Sequence, residues 1–167
     1  VDPYFNRSWE HFCSHRQTPQ SGRLSGPAAI QTGPHTMYLS MKLFEDYARS
    51  SLQVLKLLFR DCLSRLYPRP LVECDLPSTG ELTLREKENS LVVHLLHYIP
   101  HRRCPSLDTI EDVIPLFQRT VRVRTERPPR QVRLVPQKEE ISFRDEDGYV
   151  SFVVPEITGH QMVELVF

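Results

Sequence analysis

Residues 37–67 carry the longest helical periodicity in this sequence, and this run constrains the fold more than any other stretch. No Gly or Pro interrupts it before Pro68 and Pro70, which end it. The pattern predicts one long helix over 37–67, because its apolar side chains recur every three or four residues: Phe44, Ala48, Leu52, Leu55, Phe59, Cys62, Leu63 and Leu66. Other apolar residues, among them Tyr47 and Val54, lie off this stripe, so we expect an apolar surface that requires a partner.

The chain after Pro70 has a different pattern, in which apolar and polar residues alternate over short segments. This period of two predicts about eight strands, at 71–74, 81–85, 90–99, 117–125, 131–135, 141–144, 149–154 and 162–167. No helical pattern intervenes to make parallel crossovers, so an antiparallel β-sandwich is expected. Residues 16–33 and 100–115 are interpreted as loops, the second with one helical turn near 107–112.

The predicted fold class is therefore α+β, with one long helix in residues 1–69 and an antiparallel β-sandwich of about eight strands in residues 70–167. Segment 90–99 is the most apolar and is predicted to be a central strand. His94 and His97 are expected on its opposite faces, because their spacing is odd.

Composition excludes several classes of partner. Lys plus Arg and Asp plus Glu both number 21, so no basic excess indicates a nucleic acid or an anionic membrane. No apolar run approaches the roughly 20 residues of a spanning helix. Four cysteines lie far apart without a Cys-x-x-Cys pair, which favours reduced thiols and a cytoplasmic setting: Cys13, Cys62, Cys74 and Cys104.

The first residues of the chain combine large aromatic side chains with metal-ligand types. Trp9 and Phe12 are too apolar for a free tail and are expected to dock on another surface. His11, Cys13 and His15 are weak candidates for a zinc site, since the residue types suit zinc but the spacing matches no standard pattern. A docked turn is the favoured interpretation, and no metal or cofactor is predicted.

The search for an active site finds two further candidates. Cys104 follows basic residues that lower a thiol pKa, but no orienting acid or oxyanion element accompanies it. The carboxylates of residues 111–112 and 145–147 are adjacent in sequence, which is typical of solvated loop charges or partners for Arg. A glycine-rich phosphate loop is absent from the sequence. No catalytic residue is predicted.

Several stretches resemble a bacterial group of glycoside hydrolases related to the family 42 beta-galactosidases with a trimerisation domain. The longest are Phe5-Asn6-Arg7-Ser8-Trp9-Glu10-His11-Phe12-Cys13-Ser14-His15, Val92-Val93-His94-Leu95-Leu96-His97-Tyr98-Ile99-Pro100, Ile110-Glu111-Asp112-Val113-Ile114-Pro115-Leu116 and Val154-Pro155-Glu156-Ile157-Thr158-Gly159-His160-Gln161-Met162-Val163. The resemblance implies a (β/α)8 barrel with two catalytic glutamates, then an amidotransferase-like trimerisation domain and a small C-terminal β-domain. Residues 1–69 resemble the end of the second part, and residues 70–167 resemble the third.

The expected function is therefore that of a non-catalytic C-terminal portion with a structural and oligomerisation role. The expected partners are the upstream barrel of the same polypeptide and further copies in a trimer. The predicted oligomer or domain contacts are Trp9, Phe12, Phe44, Leu55 and Phe59. Two alternatives stay open: a carbohydrate-binding sandwich, and a free-standing enzyme that uses Cys104 or the His11, Cys13 and His15 group.

Overall fold

The structure, a computed structural model, describes residues 26–167. The chain forms two compact units, Val1–Arg69 and Pro70–Phe167. Among the described residues, no helix is both long enough and apolar enough to cross a membrane.

The described part of the first unit is a β-hairpin followed by two helices. Strands β1 (Ala29–Gly33) and β2 (Thr36–Leu39) pair antiparallel. Helices α1 (Leu43–Ser50) and α2 (Gln53–Leu66) follow them. The prediction of a loop over 16–33 is therefore wrong at β1. This strand has only five residues, which is too short for an alternating pattern to be recognised in the sequence.

The single helix predicted over 37–67 is wrong in its start and in its continuity. Met37 lies in β2, and the first helix begins only at Leu43. Ser51 adopts a left-handed backbone (φ 52°) and its N–H donates to the Tyr47 carbonyl, which ends α1. Leu52 is extended and starts α2. A single left-handed residue reverses the direction of the chain. The spacing of apolar residues in the sequence does not indicate such a reversal.

The second unit contains two four-stranded antiparallel sheets, which confirms the predicted sandwich-like β domain in an α+β chain. The first sheet has the order β10-β11-β8-β3 and the second β4-β5-β12-β9. The strands are β3 (Val72–Cys74), β4 (Gly80–Lys87), β5 (Ser90–His97), β8 (Leu116–Arg124), β9 (Gln131–Val135), β10 (Phe143–Glu146), β11 (Tyr149–Ile157) and β12 (His160–Val166). The predicted central position of 90–99 is confirmed, since β5 lies between β4 and β12.

The core of this unit lies between the two sheets, where alternate residues of each strand point inward. Val93 and Leu95 of β5 pack in one cluster with Phe152 and Val154 of β11, and all four are almost fully buried. Burying each such side chain stabilises the fold by about 1.5–3 kcal/mol. The alternation of apolar and polar residues therefore determines which face of each strand is buried between the two sheets.

Residues 101–109 form a hairpin in place of the loop and helical turn predicted there, whereas residues 110–115 have no regular secondary structure, as predicted for a loop. Strands β6 (His101–Cys104) and β7 (Leu107–Thr109) pair antiparallel around Pro105 and Ser106. Arg102 of β6 forms an ion pair with Asp108 of β7 across this turn. Cross-strand charge pairing and Pro at the turn favour the hairpin over a helix.

Two turns depend on glycine. Asp147 and Gly148 both have positive φ, the backbone conformation of a two-residue hairpin turn, and they join β10 to β11. Gly159 joins β11 to β12 with φ 72°, and a Cβ added there would lie 2.6 Å from the Tyr98 hydroxyl oxygen. Both the backbone conformation and this close approach require glycine at position 159.

Candidate functional site

The two helices of the first unit carry a set of exposed apolar side chains, which we call the helical apolar surface. It is defined by large apolar side chains that stay exposed on α1, on α2 and at their junction: Phe44, Tyr47, Leu52, Val54, Leu57, Phe59 and Leu63. Only Leu43 and Cys62 are buried hydrophobic residues among positions 26–69. The described part of this unit therefore has very little core of its own.

Two members of this set, Phe44 and Phe59, contact each other. Their ring centroids are 5.2 Å apart with an interplanar angle of 68°, an edge-to-face contact. The exposed fractions are 65% for Phe44 and 37% for Phe59. Leu55, the third described member of the predicted contact set, is half-buried. The chain reversal at Ser51 thus joins two predicted contact residues on one face.

Several predicted residues lie outside the described part of the chain. These are the contact candidates Trp9 and Phe12 and the weak metal candidates His11, Cys13 and His15. Within residues 26–167, no group of three or more His, Cys, Asp and Glu side chains is placed to hold a metal ion.

Cys104 is exposed at the end of β6, where its sulfur lies 3.8 Å from the Leu107 carbonyl oxygen. Of its basic neighbours, Arg102 is paired with Asp108 and Arg103 with Glu111. Hydrogen bonding to Arg102 lowers the pKa of Asp108. The arginines therefore compensate carboxylates, and the interpretation of Glu111 as a partner for Arg agrees with the structure.

The other described cysteines are less accessible. Cys62 is buried and Cys74 is half-buried, and neither forms a disulfide bond. Burial raises the pKa of the Cys74 thiol, with a smaller contribution from the negative charge of Asp75. A raised thiol pKa opposes the thiolate form that nucleophilic catalysis needs.

Two histidines that the sequence places far apart meet on the outer face of the second sheet. His94 Nδ1 and His160 Nε2 lie 3.2 Å apart, and the rings are parallel within 8° at a centroid distance of 5.4 Å. These distances place the N···N line along the line between ring centres, so the rings meet edge to edge through one N–H···N hydrogen bond. The lone pairs do not converge on a common point, which a chelated metal requires. The pKa of His94 is lowered by burial and by the positive charges of His160 and Arg85.

His97 is buried on the opposite face of β5, as its odd spacing from His94 predicts. Its Nδ1 lies 3.0 Å from the Ile114 carbonyl oxygen and its Nε2 lies 3.0 Å from the Thr79 hydroxyl. Both ring nitrogens are therefore engaged in holding neighbouring segments. This role requires knowledge of tertiary contacts, and the local sequence carries no signal for it.

Glu164 of β12 accepts hydrogen bonds from two neighbouring strands of the second sheet. Its carboxylate accepts hydrogen bonds from Arg133 at 2.7 and 2.9 Å and from the Ser90 hydroxyl at 3.0 Å. The bond with Arg133 is the main reason that the pKa of Glu164 lies below its usual range. Such a saturated carboxylate stabilises the sheet and is a poor general acid.

The described residues thus form an antiparallel sandwich joined to a helical unit, without an assembled catalytic centre among them. No protein-family model matches the chain, and no curated protein sequence matches it. Among solved structures, the chain is similar to alpha-L-fucosidase isoenzyme 2 from Paenibacillus thiaminolyticus, with 35% identity and a TM-score of 0.89. That alignment covers 99% of this chain and 26% of the fucosidase.

A second solved structure, a cycloisomaltooligosaccharide glucanotransferase from Paenibacillus sp. complexed with cycloisomaltoheptaose, aligns over 57% of this chain and 16% of its own. Its identity is 13% and its TM-score 0.44, which is too low to define a shared fold. The chain therefore shares its fold with a domain-sized part of one glycoside hydrolase, and it spans about a quarter of that enzyme.

Proposed function

We propose that this chain is a non-catalytic C-terminal portion of a glycoside hydrolase, with a structural and oligomerisation role. The observation that carries the proposal is the similarity to the fucosidase, at 35% identity over 99% of this chain. Because that match covers 26% of the fucosidase, a barrel with the catalytic glutamates would lie in the rest of the polypeptide.

The substrate class follows from the same similarity. An α-L-fucoside is the first candidate, because the matched solved structure is an alpha-L-fucosidase. A β-galactoside is the second, because the sequence resembles the family 42 group. Residues 1–69 would then be the end of an amidotransferase-like trimerisation domain, in a cytoplasmic enzyme.

The helical apolar surface supports the structural role. Phe44 is more than half exposed beside Phe59, and apolar patches of this kind typically mark protein–protein contacts. In this proposal Phe44, Leu55 and Phe59, with Trp9 and Phe12, contact another domain or another copy of the chain.

The alternative of a carbohydrate-binding sandwich has less support. Sugar-binding modules stack ligands on exposed aromatic rings, but the sandwich buries Tyr149 and Phe152. Three further rings are half-buried, namely Tyr98, Phe143 and Phe167. Phe117 is the one exposed aromatic residue among positions 70–167, and saturable heats with galactosides or polysaccharides would favour this alternative.

The experiment compares the complete polypeptide that contains this sequence with the 167-residue chain alone. Both are incubated with the 4-nitrophenyl derivatives of α-L-fucose and β-D-galactose. We expect the complete polypeptide to release nitrophenol from at least one of them and the chain alone to release none. Turnover by the chain alone that disappears in Glu111→Gln, or no turnover by the complete polypeptide, would contradict the proposal.

A further inference from the structure

The second unit carries its own apolar segment, residues 107–117, which we call the 107–117 segment. Five large apolar residues in it are 47–58% exposed: Leu107, Ile110, Val113, Ile114 and Phe117. Elsewhere in Pro70–Phe167, the large apolar residues with comparable exposure are Leu71 and Val153. Exposure of apolar side chains in this unit is thus concentrated in one stretch.

The 107–117 segment is held in place before any partner binds. Arg102 donates two hydrogen bonds to the Asp108 carboxylate, one of them at 3.1 Å, and Arg103 donates two to Glu111, one of them at 2.9 Å. Buried His97 fixes the Ile114 carbonyl. These contacts neutralise the charges of the hairpin and restrict its conformations, so binding loses little conformational entropy.

Phe117 is exposed because the backbone of β8 departs from strict alternation. Val121 and Val123 point into the core, and alternation from them would turn Phe117 inward. The left-handed backbone at Gln118 (φ 53°) reverses this order, so Leu116 packs against the core instead. A non-glycine residue in that conformation is strained. The fold thus retains an unfavourable backbone that directs an aromatic ring to the surface.

The exposed area indicates which kind of partner fits. The five side chains present roughly 400–500 Å² of apolar surface, since each is about half exposed and a free one presents on the order of 150–200 Å². Stable association of separate proteins buries about 800 Å² per partner. Contacts between domains of one chain bury about 600–1,500 Å² in total, or half that per side. The area of the segment is therefore sufficient for a contact between domains of one polypeptide, in which the covalent connection lowers the affinity that the contact must supply.

We propose that the 107–117 segment docks on the catalytic domain of the same polypeptide, at an apolar acceptor surface. This inference rests on the proposed function, because it requires that domain to exist. The fucosidase comparison favours this occupant, since the chain spans 26% of that enzyme and most of the matched protein lies outside the aligned part. The internal Arg–carboxylate pairs neutralise Asp108 and Glu111. Asp112 is the one carboxylate of the segment without an ion pair among the described residues, so the exposed apolar side chains carry most of the contact.

Cys104 provides the probe, because its exposed thiol lies beside Leu107 in the hairpin. In the complete polypeptide, the rate of N-ethylmaleimide labelling at Cys104 is measured by peptide mass spectrometry. We expect labelling at least tenfold slower than that of N-acetylcysteine, and at least tenfold faster in Leu107→Ser/Ile110→Ser than in the wild type. The control Val153→Ser removes an exposed apolar residue elsewhere in the unit and should not change the rate.

Labelling of wild-type Cys104 at the rate of N-acetylcysteine would overturn the docking proposal. An equal increase in the labelling rate of Cys104 in Val153→Ser would overturn it too. Protection of Cys104 that depends on protein concentration would also overturn it, because it would indicate that a second copy covers the segment. Slow labelling of half-buried Cys74 checks that each variant is folded. Glycoside hydrolysis is measured on the same samples. If the polypeptide is active but Cys104 is fully reactive, the docking proposal fails and the proposed function stands. If Cys104 is protected but no glycoside is hydrolysed, the proposed function fails and the docking result stands.

Discussion

The two units bury their apolar side chains to very different extents. In Pro70–Phe167, inward residues of both sheets form one cluster with exposures of 6% or less. In residues 26–69, helices of similar apolar content bury only Leu43 and Cys62 as hydrophobic residues. The sandwich therefore has a core of its own, whereas the described helices bury few of their apolar side chains. That the helices pack on another surface stays a prediction.

The largest expected effect comes from one substitution made in each unit. Leu95→Ala in β5 should lower the free energy of unfolding by about 3 kcal/mol, because it leaves a cavity in a fully packed core. Leu63→Ala in α2 should change it by less than about 1 kcal/mol, because that side chain is half exposed. Urea unfolding of the 167-residue chain, followed by circular dichroism, measures both. Equal losses would remove the distinction between the units.

An intermediate effect is expected at the turn between β11 and β12. Gly159→Ala should lower stability by about 2 kcal/mol, because alanine is strained at φ 72° and its Cβ meets the Tyr98 hydroxyl. The matched control is the same change in a Tyr98→Phe background, which removes the hydroxyl oxygen. The loss should then be smaller but not abolished, because the ring carbons Cζ and Cε1 stay 2.9 and 3.1 Å from the added Cβ. An unchanged loss would show that the contact with the hydroxyl oxygen contributes nothing to the effect.

The smallest expected effect concerns Glu164. The pKa of this carboxyl is lowered in the folded chain, chiefly by the hydrogen bond from Arg133. The folded state therefore binds fewer protons than the unfolded state, so this contribution is present above the usual carboxyl pKa and is lost as pH falls through the lowered folded value.

Glu164→Gln should accordingly cost about 1 kcal/mol or less at pH 7, because Arg133 is partly exposed to solvent. The difference from the wild type should shrink as the pH of the urea titration is lowered from 7 to 3. A difference that grows toward low pH would contradict the assigned direction of the pKa shift.

The sequence predicted the sandwich well because strand alternation is a local consequence of burial on one face. The predicted segments at 90–99 and 131–135 correspond to β5 and β9. The His94–His160 contact could not be predicted, because it depends on β5 and β12 being neighbours in the sheet. The β6–β7 hairpin was missed for a similar reason, since its Arg–carboxylate pairs appear only once the chain has turned.

In the helical region, the sequence predicted the apolar positions but not the arrangement of the helices. Phe44 and Phe59 were predicted on one stripe of a single helix, where their separation in sequence would place them roughly 22 Å apart. The left-handed Ser51 folds the chain back, and the rings come within 5.2 Å of each other. Periodicity identified Phe44 and Phe59 as members of one apolar stripe, but their contact depends on one backbone conformation. Their role as contacts stays a prediction.

The most direct test of the dependence of the helices on a partner is sedimentation velocity of the complete polypeptide. Phe44→Ser/Phe59→Ser is compared with the wild type and with Val153→Ser, which alters an exposed apolar residue of the sandwich. We predict an oligomer, consistent with a trimer, for the wild type and Val153→Ser, and at least tenfold weaker association for the double variant. A monomeric wild type, or identical association of all three proteins, would contradict the role of the helical apolar surface.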